Sequence, residues 1–241
     1  MTSRAESDFG VPLPGGVLAS DRWTVPQLRD DGRPFDWGRC FGREAPRVLD
    51  LGCGDGRYLI GSSLARPDRD HLGIEWIEPM VVRAAQRAGR RGLTNVRFVA
   101  GDAVAWLSDR LVPDSVDEIH VYHPQPYDDP AVVRLGILSP AFFERAWIVC
   151  RRGGILVLQT DHSGYGKHLL EAARNHFDVE EIAGPWPDSP LGRTRREILA
   201  RRKKLPILRM LARRRDEPRA HEPPRPWFDT PRRKRRVRNR P

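Results

Sequence analysis

At 241 residues and 39% hydrophobic composition, the chain has the length for one domain of ordinary size plus extensions, and enough apolar content for a real core. No apolar run of about 18 residues and no charged-then-apolar leader is present, so neither a membrane-spanning helix nor a secretory signal is expected. Cys40, Cys53 and Cys150 are odd in number and far apart, which argues for reduced thiols in a cytoplasmic protein and against a disulfide framework or a metal site. The net charge of +10 is uneven: residues 193–241 carry 20 Lys/Arg against 5 Asp/Glu, which leaves the first 192 residues at −5. The tract Arg232-Arg233-Lys234-Arg235-Arg236 has the electrostatic footprint of a polyanion partner, most simply nucleic acid. A tail that only aids solubility is the plainer alternative; anionic lipid is disfavoured, because no apolar face accompanies the charges.

Residues 1–32 are rich in Gly, Pro, Ser and charge, and read as an arm that drapes over the domain or is partly disordered. Trp37 and Phe41, four apart, then lead into a short buried strand at 48–51. Glycines at 52, 54 and 56 follow, and a helix over 58–65. Glycines this close let backbone N–H groups approach a ligand, and the helix behind them presents its N-terminus to it. The dinucleotide fingerprint needs glycine at its sixth position, where Arg57 stands here.

A second strand, 71–76, carries Glu75, 19 residues after Gly56, where a carboxylate can accept from the vicinal hydroxyls of a ribose. A helix over 78–88 has proline in its first turn, and a strand over 96–100 ends in Gly101-Asp102. The plainer reading of Asp50, Glu75 and Asp102 is helix caps or solvated loop acids. A helix over 103–110 and a strand over 115–122 deliver His123-Pro124-Gln125-Pro126-Tyr127-Asp128-Asp129 to the carboxyl edge of the sheet, beside the crevice above the glycine turn. His120, on that strand, reads as a packing residue and His123 as a hydrogen-bonding one. Ser139-Pro140 caps a helix to 151, and a strand over 155–160 ends in Asp161-His162. A helix over 166–175, a strand over 177–182, a Pro-rich loop over 185–190 and a last strand over 194–200 complete a domain of 33–205. Residues 206–241 read as a disordered Arg/Pro-rich tail. Strand–helix alternation with short turns predicts a mostly parallel sheet with helices on both faces.

Gly-x-Gly-x-Gly after Leu49-Asp50-Leu51 resembles the first motif of class I S-adenosylmethionine-dependent methyltransferases, which implies a Rossmann-like α/β fold and S-adenosylmethionine as cofactor. Between Phe35 and Arg201 the chain resembles one family more specifically, the bacterial tRNA (guanine-N7-)-methyltransferases. The likeness lies in Asp36-Trp37, Phe41-Gly42, Ala45 to Gly52, Gly73-Ile74-Glu75 with Val81-Val82-Arg83-Ala84, Asn95-Val96-Arg97, Gly101-Asp102-Ala103, Thr160-Asp161 and Thr194-Arg195-Arg196-Glu197. It implies that Asp50, Gly52, Gly54, Gly56, Glu75 and Asp102 bind the cofactor and that Asp161, Thr194 and Glu197 line a guanine pocket. It also implies tRNA as partner, the variable-loop guanine at tRNA position 46 as target, no metal and no membrane. A monomer or weak homodimer is expected.

The chain departs from the family at its most informative turn. Where the family carries Pro-Asp-Pro-Trp-Pro-Lys with a catalytic aspartate, this chain has Gln125, Tyr127 and Asp129 in place of the aspartate, tryptophan and lysine. Guanine N7 offers an in-plane lone pair and has no proton to lose, so the protein must supply alignment and a dry approach. A glutamine carbonyl in place of a carboxylate weakens one acceptor by about 1 to 2 kcal/mol, a rate reduced roughly 5- to 30-fold. The resemblance therefore implies Gln125 and Asp161 as catalytic residues and Gln125, Tyr127 and Asp129 as substrate contacts, with Tyr127 able to stack on the base. The alternatives are another RNA base or small-molecule acceptor, or a non-catalytic RNA-binding homologue.

Overall fold

The structure, a computed structural model, describes residues 6–125 and 138–219. The chain opens with a two-residue hairpin, β1 (Ser7–Asp8) and β2 (Val11–Pro12), then β3 (Gln27–Leu28) and α1 (Trp37–Phe41). The central run is β4 (Arg47–Leu51), α2 (Arg57–Ala65), β5 (Asp70–Glu75), α3 (Glu78–Gly89) and β6 (Val96–Ala100). A short α4 (Ala103–Ala105) continues as a π-type turn to Arg110, followed by β7 (Val116–Tyr122), α5 (Pro140–Val149) and β8 (Cys150–Thr160). The C-terminal part is α6 (Ser163–Ala173), β9 (Phe177–Glu181), α7 (Arg195–Arg202) and β10 (Leu208–Arg214).

Eight strands form one sheet in the order β3-β6-β5-β4-β7-β8-β10-β9. From β3 to β8 every pairing is parallel; β10 runs antiparallel to both neighbours. This is the expected α/β, Rossmann-like architecture, and the two-residue period of β4 shows how it is covered. Leu49 and Leu51 point into one apolar layer with Trp37, Phe142 and Phe177, while Val48 points into the other with Leu59, Val81 and Phe98. Asp50 shares the face of Val48 and is 2% exposed, a carboxylate in a layer of hydrocarbon.

Three parts depart from the sequence reading. The arm is built into the fold from residue 6 onward: β3 pairs with the sheet edge at Phe98 and Val99, and Leu13 is buried. Asp8 lies between Arg57 (2.9 Å) and Arg87 (3.0 Å), and Glu6 reaches Arg90 and Arg91. Burial raises the Asp8 pKa, and the two guanidinium groups outweigh that and hold it below the usual carboxylate range. Such anchoring is by long-range charge and leaves no hydrophobic period to read.

The second correction is the domain end. Residues 208–214 are β10, inside the sheet, and not part of a tail beginning at 206. Met210 and Ala212 are fully buried on alternate positions, while Arg209, Arg213 and Arg214 on either side of them mask that alternation in the sequence. The tract 232–236 lies outside the described residues. Thirdly, 194–200 is not a strand: Thr194 accepts from the Glu197 N–H at 3.1 Å and opens α7. Among the described residues no helix is long and apolar enough to cross a membrane.

Candidate active site

The site begins where β4 stops. Gly52, Gly54 and Gly56 all take left-handed backbone angles, φ 77°, 55° and 79°. A Cβ on Gly56 would strike Ala84 at 2.8 Å, so that glycine serves close packing of α2 on α3. A Cβ on Gly52 or Gly54 would meet nothing within 4 Å, so these two face open space. Backbone bonds fix the loop, Gly52 N–H and Cys53 N–H both donating to the Ile74 carbonyl at 2.8 and 3.1 Å. Glu75 adds a clamp, accepting from Gly54 N–H and Ile77 N–H, each at 3.0 Å.

Two cavities meet at Gly52. The larger, about 450 Å³, is lined by Glu75, Trp76, Ile77, Gly101, Asp102 and Gln125 among others. Both Glu75 oxygens keep a second lone pair after their backbone bonds, so the residue can still accept from a ribose. Asp102 accepts from Ala105 N–H at 2.7 Å and caps α4. The capping role and a place on the cavity wall thus coincide in one residue.

The second cavity, about 370 Å³, has Asp50, Gly54, Tyr58, Tyr122, His123 and Thr194 in its wall. Asp50 is its most unusual group, because Oδ1 is buried with no hydrogen-bond partner. Burial, and then the neighbouring Glu75 charge, push its pKa well above the usual carboxylate value; Arg193 draws it partly back. An uncompensated buried acceptor costs about 1 to 3 kcal/mol, so this position is built to receive a donor or a cation. Beneath it Tyr58 and Tyr122 sandwich His120, at 3.0 Å to each ring nitrogen, and His120 also contacts Glu118 at 3.1 Å. Burial lowers the His120 pKa to about 4, so it is a neutral packing residue, as its strand position suggested.

The outer side of this cavity comes from strand tips and α7. His123 sits at φ 51°, a left-handed conformation that costs a non-glycine residue about 1 to 2 kcal/mol. Its ring nitrogens contact Asp161 Oδ1 at 2.9 Å and Gln159 Nε2 at 2.8 Å, with only 3% of the side chain exposed. Asp161 also accepts from Arg196, at 2.7 Å through Oδ2. Burial raises the Asp161 pKa, but Arg196 and His123 outweigh it and keep the carboxylate ionised. Arg193 donates to the Tyr122 hydroxyl at 2.8 Å, pairs with Asp188 and stacks on Trp186 at 4.0 Å. His162 caps α6 by accepting from Tyr165 N–H.

The expected residues do not all converge. Asp50, Gly52, Gly54 and Thr194 line the second cavity; Gly52, Glu75, Asp102 and Gln125 line the first. Gln125 and Asp161 therefore do not share one cavity as a catalytic pair would, although both partners of Asp161, His123 and Arg196, line the second. Glu197 is withdrawn from the pocket: fully buried, it pairs with Arg209 at 2.7 Å and accepts from Arg193 N–H at 2.9 Å. Tyr127 and Asp129 lie outside the described residues. Sequence reading missed Phe9, Tyr58, Tyr122 and Arg193, which carry no spacing signal; only the aromatic ending of β7 hinted at Tyr122. Among the described residues no cluster of three metal-ligating side chains occurs.

A sequence profile described as "Putative methyltransferase" matches residues 44–210. A tRNA (guanine-N(7)-)-methyltransferase of Alkalilimnicola ehrlichii is 32% identical over 161 residues, 67% of this chain and 68% of that protein. Those of Paraburkholderia xenovorans and Thermus thermophilus are 35% and 39% identical, with 64% and 63% of this chain aligned to 60% and 49% of theirs. The chain thus spans about half to two thirds of the length of these relatives. Among solved structures it resembles the 16S rRNA methyltransferase KamB, with TM-score 0.56 and 19% identity over 74% of this chain and 92% of that one. It also resembles a mutant 16S rRNA (adenine(1408)-N(1))-methyltransferase from Catenulisporales acidiphilia solved with its cosubstrate SAM, with TM-score 0.52 and 16% identity over 77% and 92%. At these identities the structural likeness shows the fold, that of a class I methyltransferase.

Proposed function

The chain belongs to the tRNA (guanine-N7-)-methyltransferase family, and on that premise we propose that it methylates N7 of a guanine in tRNA, with S-adenosylmethionine as donor. The observation that carries this is the orphaned Asp50 carboxylate beside Gly52 and Gly54, at the junction of two cavities. S-adenosylmethionine carries an ammonium group, a ribose diol and an adenine around a cationic sulfur whose methyl it gives up. Asp50 is the acceptor for the ammonium, Glu75 for the diol and Asp102 for the adenine edge, with Trp76 and Ile77 as apolar walls. The bare backbone of Gly52 and Gly54 admits the chain between them.

The acceptor lies on the other side of Gly52. Because N7 needs no deprotonation, His123 is not required as a base; the work is alignment and exclusion of water. Asp161 and Thr194 hold the guanine, and the ionised Asp161 offsets the positive charge that the ring acquires as the methyl arrives. Glu197 acts behind them, bonding Arg209 and the start of α7. Arg195, Arg196, Arg201, Arg202, Lys203 and Lys204 are exposed on and just after α7, beside the cavity, and supply cations for RNA phosphates. The variable-loop guanine at position 46, a monomeric or weakly dimeric state and a cytoplasmic location belong to the same reading.

The test is methyl transfer from radiolabelled S-adenosylmethionine to unmodified tRNA, followed by nucleoside analysis. Accumulation of 7-methylguanosine is expected. Another methylated nucleoside would favour a changed acceptor, the second reading supported by Gln125 lying apart from Asp161. No transfer at all, with the cofactor still bound, would overturn the enzyme in favour of a binding protein.

A further inference from the structure

The hydrogen bonds around His123 run in one direction, and the direction is forced at a residue remote from the cavity. The indole of Trp186 can only donate, and Trp186 Nε1 meets Gln159 Oε1 at 2.5 Å. The Gln159 amide is thereby oriented with its NH2 toward His123, so Nε2 of the imidazole must accept. The ring's own proton then sits on Nδ1 and is donated to Asp161 Oδ1. Arg196 holds the other carboxylate oxygen. Gln159 is fully buried, Trp186 is 5% exposed, and neither lines either cavity.

We propose that Trp186 and Gln159 are positioning residues for methyl transfer, locking His123 as the neutral Nδ1–H tautomer and so fixing the Asp161 carboxylate against the acceptor base. The inference rests on the acceptor reading above, in which Asp161 faces guanine. The charged groups around His123 are Asp161 at the tip of β8 and Arg196 and Glu197 on α7; Arg193 lies over the Trp186 ring and bonds Tyr122 and Asp188. Burial lowers the His123 pKa despite the neighbouring acids, in keeping with a ring that stays neutral. A second proton on Nε2 would point at an NH2 group, and turning the amide to accept it would break the indole bond. The consequence is electrostatic: an imidazolium beside Asp161 would cancel the charge that faces a base becoming cationic, and the lock prevents it.

The test combines nitrogen-15 NMR of labelled histidine with kinetics on Trp186→Phe and Gln159→Glu, each in the full chain. In the wild type, His123 is expected as the Nδ1–H form through neutral pH. Trp186→Phe frees the amide, so His123 should titrate at least about one pH unit higher. The acid limb of kcat should move up with it, and KM for S-adenosylmethionine should be unchanged. Gln159→Glu, which can accept from Nε2–H, should raise the titration further. An Nε2–H tautomer in the wild type, or a His123 titration untouched in both variants, would overturn the proposal. His123 responding as expected in a protein that methylates no tRNA guanine would uphold the hydrogen-bond chain and overturn the acceptor reading.

Discussion

Asp50 and Glu197 are both carboxylates buried to 2% or less, and the family resemblance marks both as site residues, yet their surroundings are opposite. Glu197 is satisfied from within the protein, by Arg209 and by the Arg193 N–H. Asp50 has an oxygen with no partner, at the edge of a cavity. Burial alone does not separate a ligand contact from a strut; what remains unpaired after the protein's own bonds are counted does.

The sharpest way to break this comparison is at Glu197. Glu197→Leu leaves Arg209 buried and unpaired, and should lower stability by about 3 to 5 kcal/mol in urea denaturation. A loss confined to substrate affinity, with stability unchanged, would return Glu197 to the pocket. Asp50→Asn should do the reverse. It removes an ionisable group whose charged form the ligand-free fold disfavours, so stability should hold or rise slightly, while calorimetry shows S-adenosylmethionine binding weakened roughly 10- to 100-fold. Unchanged affinity would mean that the orphaned oxygen is not the ammonium acceptor. The smallest effect is expected at Gln125. It is exposed and lies with Glu75 and Asp102, so Gln125→Asp should change the transfer rate by less than about 5-fold. A larger gain would place it against the base after all.

The strand–glycine–helix unit at 47–65 was readable because each of its rules is local: an apolar strand, three glycines, then helix. Glu75 and Asp102 were readable for the same reason, as acids closing consecutive parallel strands. What escaped was non-local. Whether Asp8 anchors the N-terminal segment depends on Arg57 and Arg87, 49 and 79 positions away. β10 was hidden by its arginines, of which Arg209 is spent inside the protein on Glu197. The run Thr194-Arg195-Arg196-Glu197, expected as the start of a strand, carries the capping pattern of a Thr followed three residues later by Glu, and its structural outcome is a helix start.

The antiparallel course of β10 also decides where the chain goes next. Leu208 pairs with Thr160 at the cavity end of the sheet, but Arg214 pairs with Phe177 at the opposite pole, and Arg219 N–H is tied to the Asn175 carbonyl there. Seven strand residues put roughly 20 Å between those ends. The last described residues are therefore held at the antipode of α7, away from both cavities.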